Sequence, residues 1–459
     1  MYQIDFHTPI KIYFIGIGGI SMSGLAEILL TEGFTIIGSD RAPSDLTCTL
    51  EERGVRIFYG QRRENITDDI DLVVYTAAIK TDNPELLAAK ELGIPTLTRA
   101  ELLGQMMKNY RLPIAISGTH GKTTTTSMIS QILLTAGKDP TLSIGGIYRP
   151  IGGNIRVGAS DIFVTEACEY TNSFLSFFPK IGVILNIEED HLDFFKDLAD
   201  IRSSFHRFAK LLPADGVLVI NGGIDRYKEI TQGLPCRVIT YGFDPGLDYS
   251  ASNITYDKNG FPSFLLTEKN GRKRKFDLRV HGDHNILNAL AAVALADLLQ
   301  LTETEIAAGL LTFTGTDRRF EYKGQMNGVN IIDDYAHHPT EIRATLNAAS
   351  QYPHKRLWCV FQPHTYTRTK AFLNEFAHAL SLADEIVLAD IYAAREKDTL
   401  GISSRTLQEK IQSLGHSCHY FPSFTEIEIF LKKNCTKDDL LITMGAGDVV
   451  KIGENLLQK

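Results

Sequence analysis

Ile116-Ser117-Gly118-Thr119-His120-Gly121-Lys122-Thr123-Thr124 decides how the rest of the chain is read. An apolar run from Pro113 to Ile116 leads into it, and a helix-like run from Thr125 to Ala136 follows. Strand, glycine-bearing loop and helix in that order form a phosphate-binding loop, because backbone N–H groups and the positive end of the helix face one anion. Lys122 then reaches the outer phosphates of a nucleoside triphosphate, and the Thr123 hydroxyl is placed for Mg2+. Ile116 stands where the long form of the motif has its first glycine, so the match is to the short form Gly-x-x-Gly-Lys-Thr. A tight turn carrying a surface lysine is the competing reading of the short form. The chain is expected to use ATP or GTP.

At 459 residues the chain exceeds one ordinary core, and three domains are expected. A hydrophobic content of 44% and a charged content of 22% belong to a soluble globular protein. The formal net charge of −8 argues against general binding to nucleic acid or membrane surfaces. The basic cluster Arg272-Lys273-Arg274-Lys275 follows the turn signal Asn270-Gly271 and reads as a solvated hairpin. Cys48, Cys168, Cys236, Cys359, Cys418 and Cys435 show no paired metal spacing and read as reduced thiols of a cytoplasmic protein. The opening Met1-Tyr2-Gln3-Ile4-Asp5 is read as carrying no signal peptide, and no apolar run is long enough to span a bilayer.

Three successive α/β units are expected. Strands at Ile10 to Ile15, Phe34 to Gly38 and Leu72 to Tyr75 alternate with helices at Met22 to Thr31 and near Pro84 to Leu92, which implies a parallel sheet. Pro113 opens the second unit, with later strands at Ile162 to Thr165 and Ile181 to Asn186. Residues 213–280 suggest antiparallel strands, and Ile286 to Leu299 a long helix. The third unit starts near residue 317, with strands at Val329 to Ile332, Leu357 to Phe361, Glu385 to Leu388 and Leu440 to Thr443. Its helices are expected at about Pro339 to Ala349, Lys370 to Leu382 and Phe424 to Lys432.

Four further segments carry chemistry. The first strand-to-helix turn, Gly16-Ile17-Gly18-Gly19-Ile20-Ser21, approximates a dinucleotide fingerprint with Ser21 in place of the third glycine, and Asp40 ends the second strand where a ribose-binding acid would sit. It admits a nicotinamide or flavin, another diphosphate ligand such as a nucleotide-sugar, or plain turn geometry. Glu166 closes an apolar strand beside the phosphate loop, which suits Mg2+, and Glu169 follows. His191 lies in the charged run Glu188-Glu189-Asp190-His191, where a metal role competes with that of a satisfied polar residue. Asp333-Asp334-Tyr335-Ala336-His337-His338 and Gln362-Pro363-His364-Thr365-Tyr366-Thr367-Arg368 each follow a strand, and side by side they suggest capture of a carboxylate-bearing substrate.

In order along nearly the whole chain, Gly-Ile-Gly-Gly-Ile-Ser-Met-Ser-Gly-Leu-Ala-Glu (16–27), Gly-Thr-His-Gly-Lys-Thr-Thr (118–124), Glu-Ala-Cys-Glu (166–169), Asn-Ile-Glu-Glu-Asp-His-Leu-Asp (186–193), His-Asn-Ile-Leu-Asn-Ala (284–289), Asp-Arg-Arg-Phe (317–320), Asp-Asp-Tyr-Ala-His-His-Pro-Thr-Glu (333–341) and Gln-Pro-His-Thr-Tyr-Thr-Arg-Thr (362–369) resemble the motifs of the Mur ligases. The opening glycine loop and the 333–341 segment resemble the alanine-adding branch in particular. The resemblance implies an α/β protein of three domains: a Rossmann-like UDP-substrate domain at 1–108, a P-loop ATPase domain at 109–316 and a Rossmann-like amino-acid domain at 317–459. It implies an ATP-dependent, Mg2+-assisted ligase joining L-alanine to UDP-N-acetylmuramate in peptidoglycan precursor synthesis, working in the cytoplasm as a monomer or dimer. That substrate removes the nicotinamide reading.

The roles it implies are specific. Lys122, Glu166 and His191 would be catalytic, with Thr123, Glu166 and His191 around the metals. Gly118, Thr119, His120, Gly121, Lys122, Thr123 and Thr124 would hold ATP, helped by Asn288, Arg319 and Asp334. Gly16, Gly18, Gly19 and Asp40 would hold the UDP substrate, and Tyr335, His337 and Arg368 the amino acid. Sister ligases carry a carbamylated lysine about fourteen residues beyond the motif histidine; Phe205 stands there, in agreement with the alanine-adding branch. Thr365 stands where some members have a second arginine, so the carboxylate clamp would rest on Arg368. A recycling ligase that attaches a preformed tripeptide, a catalytically idle nucleotide-gated binding protein and a two-cofactor dehydrogenase are the alternatives.

Overall fold

The computed structural model describes residues 2–458 apart from Ala77 and Arg395. By contact the chain forms two compact units: Met1–Thr126, Leu133–Ile187 and Ala199–Thr240 in the first, and Ser127–Ile132, Glu188–Leu198 and Tyr241–Lys459 in the second.

The first unit begins with β1 (Lys11–Ile15), β2 (Thr35–Asp40), β3 (Arg56–Tyr59), β4 (Leu72–Tyr75) and β5 (Thr96–Thr98), all parallel in the order β3-β2-β1-β4-β5. The crossover helices are α1 (Ile20–Thr31), α2 (Asp45–Glu52), α3 (Pro84–Glu91) and α4 (Arg99–Met107). Tyr13, Phe14 and Ile15 are all withdrawn from solvent, as a strand covered by helices on both faces requires. The strand order reverses at β1, between β2 and β4, and such a switch point leaves a crevice at the carboxyl end of β1. The glycine loop occupies that end.

The same unit continues with β6 (Leu112–Ser117), α5 (Lys122–Thr135, of which Ser127–Ile132 count with the second unit), β7 (Thr141–Tyr148), β8 (Gly153–Arg156), β9 (Ile162–Ala167), β10 (Ile181–Ile184), α6 (Leu198–Ala209, of which Leu198 counts with the second unit), β11 (Val217–Asn221) and α7 (Tyr227–Thr231). Its strands run in the order β11-β10-β6-β9-β7-β8. All neighbours are parallel except the β7–β8 pair. β6 therefore lies between β9 and β10, with Ser117 opposite Ala167 on one side and Ile184 on the other.

β12 (Arg237–Gly242) ends in the second unit, where Tyr241 and Gly242 pair in parallel with β13 (Tyr249–Tyr256). β13, β14 (Pro262–Glu268) and β15 (Lys273–Asp277) are antiparallel. The antiparallel character expected across 213–280 thus starts only at β13, because β11 pairs in parallel with β10. The 270–275 turn is a hairpin, but its basic cluster is not wholly solvated: Arg274 is buried and paired with Asp297 at 2.9 Å and Glu268 at 3.1 Å. Strand alternation explains this, since Lys273 and Lys275 face out and Arg274 faces α8 (Asp283–Leu298).

α9 (Glu303–Thr312) precedes the last sheet, made of β16 (Glu321–Met326), β17 (Val329–Asp334), β18 (Leu357–Phe361), β19 (Glu385–Leu388), β20 (Cys418–Tyr420) and β21 (Leu440–Met444). Its order is β16-β17-β21-β18-β19-β20, parallel except for the β16–β17 pair. The helices are α10 (Pro339–Ser350), α11 (Tyr366–Ala371), α12 (Leu373–Leu380), α13 (Ser404–Ser413), α14 (Phe424–Asn434) and α15 (Val450–Leu457). Ile332, Cys359, Phe361 and Ile442 fill one face of this sheet, and Ile331, Trp358, Val360 and Leu441 the other. The helix expected at 370–382 is divided at Phe372, whose φ −112 and ψ 26 lie outside the helical region.

Candidate active site

The phosphate loop is built by the hydrogen bonds of its neighbours. Leu185 N donates to Ser117 O at 3.0 Å and Thr119 N to Asn186 O at 3.2 Å. The Asn186 side chain clamps the loop at His120, accepting from His120 N at 2.7 Å and donating to His120 O at 3.0 Å. Gly118 has φ +146, and a Cβ there would stand 2.9 Å from Leu185, so the close approach of the segment just after β10 requires glycine. Gly121, at φ +84, turns the chain into α5, whose first three residues are Lys122, Thr123 and Thr124.

Lys122 Nζ donates to Gly118 O at 2.5 Å, to Thr119 O at 3.1 Å and to Glu169 Oε2 at 2.9 Å. Burial alone would depress this ammonium, but Glu169 and, further off, Glu166 outweigh it and hold Lys122 above the ordinary lysine range. Thr123 Oγ1 donates to Glu166 Oε2 at 3.1 Å, and Glu166 Oε1 accepts from Gly145 N at 2.5 Å. Thr123 and Glu166 are therefore brought together as the sequence suggests. Glu169 is the direct partner of Lys122. The alternative of a tight turn with a surface lysine is excluded, because the Lys122 side chain is only 15% exposed.

At the first glycine loop, Gly16 takes φ +82, and Gly18 N donates to Asp40 Oδ2 at 2.7 Å. A Cβ on Gly18 would meet Asp40 at 2.8 Å. Gly19 caps α1. Asp40 also accepts from Arg41 N at 2.7 Å, so in this structure it orders the loop.

His191, Asn288, Arg319, Asp334, Tyr335, His337 and Arg368 belong to the second unit. The loops after β17 and β18 are not neighbours in the sheet as expected, because β21 inserts between their strands. They still converge: the His337 and His364 rings are 5.7 Å apart. The intervening loop after β21 is small, and a Cβ on Gly445 or Gly447 would strike Gln362 at 2.8 or 2.3 Å. Arg318 locks this edge with Nε on Asp333 at 2.9 Å and its other nitrogens on the carbonyls of Gly445 and Gly447 at 2.7 and 3.0 Å. Sequence reasoning missed Arg318 and the Gly445–Asp448 loop. The signal was a glycine-rich turn directly after the apolar run Leu440 to Thr443.

The guanidinium groups of Arg318 and Arg319 lie 5.0 and 5.1 Å from the Tyr335 ring centre. Asp334 accepts from Phe320 N at 2.8 Å and Ala336 N at 2.7 Å, and burial, opposed by Arg319, pushes it up to about 6. His337 Nδ1 is 3.0 Å from Tyr335 O, a carbonyl that only accepts, so Nδ1 carries the proton and Nε2 keeps its lone pair. Arg368 Nη1 is 3.1 Å from His364 Nδ1, which must then be the acceptor. Burial pushes both His337 and His364 down to about 4, so both are neutral at pH 7. Arg368 Nη2 donates to Asp190 Oδ1 at 2.8 Å. His191 has φ +52, and its backbone N donates to the same Asp190 carboxylate at 2.7 Å. Burial would raise Asp190, but Arg368, His191 and His338 hold it well below the carboxylate range. Asn288 is buried and donates to Asn285 Oδ1 at 2.9 Å.

Family descriptions match almost end to end: "Mur ligase family, catalytic domain" over residues 11–111, "Mur ligase middle domain" over 116–296 and "Mur ligase, glutamate ligase domain" over 318–447. The UDP-N-acetylmuramate--L-alanine ligase of Agathobacter rectalis is 62% identical over 459 residues, covering all of both chains. The chain belongs to the Mur ligase family. The crystal structure of the UDP-N-acetylmuramate-alanine ligase of Thermotoga maritima is 29% identical, with 98% of each chain covered and a TM-score of 0.81. A murein peptide ligase from Psychrobacter arcticus is 25% identical over 98% of each chain, with a TM-score of 0.70. This Mur ligase thus has the three family domains in an α/β architecture. Phe205 is fully buried, with its ring 5.4 Å from that of Phe174 and edge-on to it.

Proposed function

We propose that this Mur ligase joins L-alanine to the lactyl carboxylate of UDP-N-acetylmuramate at the expense of ATP, giving UDP-N-acetylmuramoyl-L-alanine, ADP and phosphate. The observation that carries the reading is Lys122, buried at the mouth of the phosphate loop with its ammonium kept charged by Glu169. The lactyl carboxylate attacks the γ-phosphate of ATP. Lys122 stabilises the charge on the transferring group, while the loop 118–124 positions the β- and γ-phosphates. The alanine amine then adds to the acyl phosphate, and phosphate leaves with water excluded. Asn288, Arg319 and Asp334 help to hold the nucleotide.

Thr123 and Glu166 present hard oxygen donors 3.1 Å apart beside the phosphate loop, a set that fits magnesium, with His191 as the third proposed ligand. Magnesium bound there would neutralise charge on the phosphate oxygens. Arg368 binds the alanine carboxylate, the Tyr335 ring walls the pocket, and the Nε2 lone pair of His337 accepts from the amine. Gly16, Gly18, Gly19 and the Asp40 that orders them support the UDP diphosphate. The domains divide at 108/109 and 316/317, and the enzyme acts in the cytoplasm as a monomer or dimer. No described helix is long and apolar enough to cross a membrane.

The full-length relation to an alanine-adding ligase favours this reading over tripeptide recycling. Phosphate release from ATP, measured with UDP-N-acetylmuramate and either L-alanine or the tripeptide L-Ala-γ-D-Glu-meso-diaminopimelate, tests it. Release with alanine alone is expected; release only with the tripeptide would overturn it.

A further inference from the structure

Thr365 lies between His364 and Arg368, whose side chains meet at 3.1 Å, and its backbone stands at φ +66 and ψ 146. A β-branched residue avoids that conformation, which persists only where the surroundings over-determine it. Thr365 also caps α11, and Arg368 sits in the first turn of that helix. The direction in which the chain leaves β18, and with it the aim of the guanidinium, is therefore set by a strained turn.

The groups that hold the turn come from the loop after β19, the strand beside β18. Thr365 N donates to Tyr392 O at 2.9 Å, and Tyr392 N to Pro363 O at 2.8 Å. The Tyr392 ring lies nearly parallel to that of His364, with 5.7 Å between centres and 15° between planes. Glu396, half-buried, completes the arrangement. Its Oε2 accepts from Tyr366 N at 2.7 Å and from Thr367 N at 3.0 Å, and its Oε1 accepts from the Thr367 hydroxyl. Tyr366 and Thr367 carry the first two amides of α11, which have no acceptor within the helix. With Glu396 in place, the start of α11 cannot turn without giving up both of these bonds. Without it, a less strained turn is open to Thr365, and that turn would carry the guanidinium away from His364 and Asp190.

We propose that Glu396 is a positioning residue for the amino-acid site: it holds the Thr365 turn in its strained form, and the turn directs Arg368 at the substrate carboxylate. This rests on the assignment of Arg368 to L-alanine. Glu396 acts through α11, from a loop that sequence reasoning did not connect with the pocket.

Initial rates of phosphate release by the full-length chain, with each substrate varied in turn, test it in Glu396→Ala, Glu396→Gln and Arg368→Lys beside the wild type. Glu396→Ala should raise the KM for L-alanine by about tenfold and leave those for ATP and the UDP-sugar unaltered, because one charge-assisted contact loses its alignment. Glu396→Gln keeps a carbonyl oxygen for the two amides and should recover most of the loss. Glycine accepts φ +66 without strain, so adding Thr365→Gly to Glu396→Ala should bring the alanine KM back toward the wild-type value. Amide hydrogen exchange of Glu396→Ala should quicken across residues 364–369. A wild-type alanine KM in Glu396→Ala, beside a raised one in Arg368→Lys, would overturn the proposal and leave the pocket standing. So would a rise in the KM for every substrate with a lower melting temperature, the mark of a merely structural acid. An alanine KM unmoved in both Arg368→Lys and Glu396→Ala would instead defeat the assignment of Arg368, and this proposal with it.

Discussion

Arg368 and Asp190 are joined by an ion pair of 2.8 Å in which the two side chains are only 11% and 8% exposed. The contact links α11, the helix that follows β18, to the charged run ahead of α6, through two residues 178 apart in sequence. A second nitrogen of the same guanidinium faces His364. The planar fork can serve Asp190, His364 and a substrate carboxylate at once, since it carries five donors in fixed directions.

Arg368→Lys tests that division of labour. The ammonium keeps the charge for Asp190 but cannot also span His364 and a carboxylate. The KM for L-alanine should rise by about tenfold or more, with the KM for ATP little changed. Initial rates of phosphate release with each substrate varied in turn provide the measurement. An unaltered alanine KM would remove Arg368 from the amino-acid pocket.

Lys122→Ala should reduce turnover by on the order of a thousandfold or more, since it deletes the cation we propose to face the transferring phosphoryl group. The change also leaves Glu169, 3% exposed, without its ammonium. Part of any loss could then be loss of fold, and the double variant Lys122→Ala/Glu169→Gln separates the two. Its melting temperature should return toward the wild-type value while activity stays lost. Recovery of activity in the double variant would show that Lys122 serves only to neutralise Glu169.

The phosphate loop was legible because its chemistry is local: Gly118, Gly121, Lys122 and Thr123 lie within six residues of one another. Strand-to-helix alternation likewise placed β1, β4, β18 and β19 to within a residue or two. What stayed hidden depends on strand order. β21 comes last in the chain yet lies between β17 and β18, so the partnership of Arg318 with Gly445 and Gly447 spans nearly 130 residues. The same holds for Asn186, whose clamp on His120 follows from β10 pairing with β6. Residue type also misled at Arg274, where alternation along β15 turned one of four basic residues inward.

Acidification should weaken the second unit through its neutral rings. Burial pushes His284, His337 and His364 down to about 4 in the fold, against about 6.5 in an unfolded chain. The unfolded state binds more protons between those values, so stability is full above pH 6.5 and is lost as pH falls toward 4. His284 and His337 each contribute on the order of 2 kcal/mol of loss between pH 7 and pH 5, and His364, more open to solvent, contributes less. Urea unfolding at the two pH values measures it, and His284→Asn should flatten the dependence by about one ring's share. A wild-type stability independent of pH over this interval would contradict neutral burial of these histidines.

Two glycines fix how helices α1 and α4 seat within the first unit. A Cβ on Gly104 would lie 1.9 Å from Ser176 O, and one on Gly24 would lie 2.0 Å from Ile155 Cγ1. The Gly104 obstacle is backbone, held in the 3-10 turn Tyr170–Ser176, whereas Ile155 is a side chain that can change rotamer. Gly104→Ala should therefore destabilise by about 1–3 kcal/mol despite the better helix propensity of alanine, and by more than Gly24→Ala. Gly153, with open space around its Cβ position and no positive φ, is the control and should tolerate alanine within about 0.5 kcal/mol. Denaturant midpoints of the three variants decide the matter. A Gly104→Ala chain as stable as the wild type would mean that α4 does not sit as close to the 3-10 turn in solution.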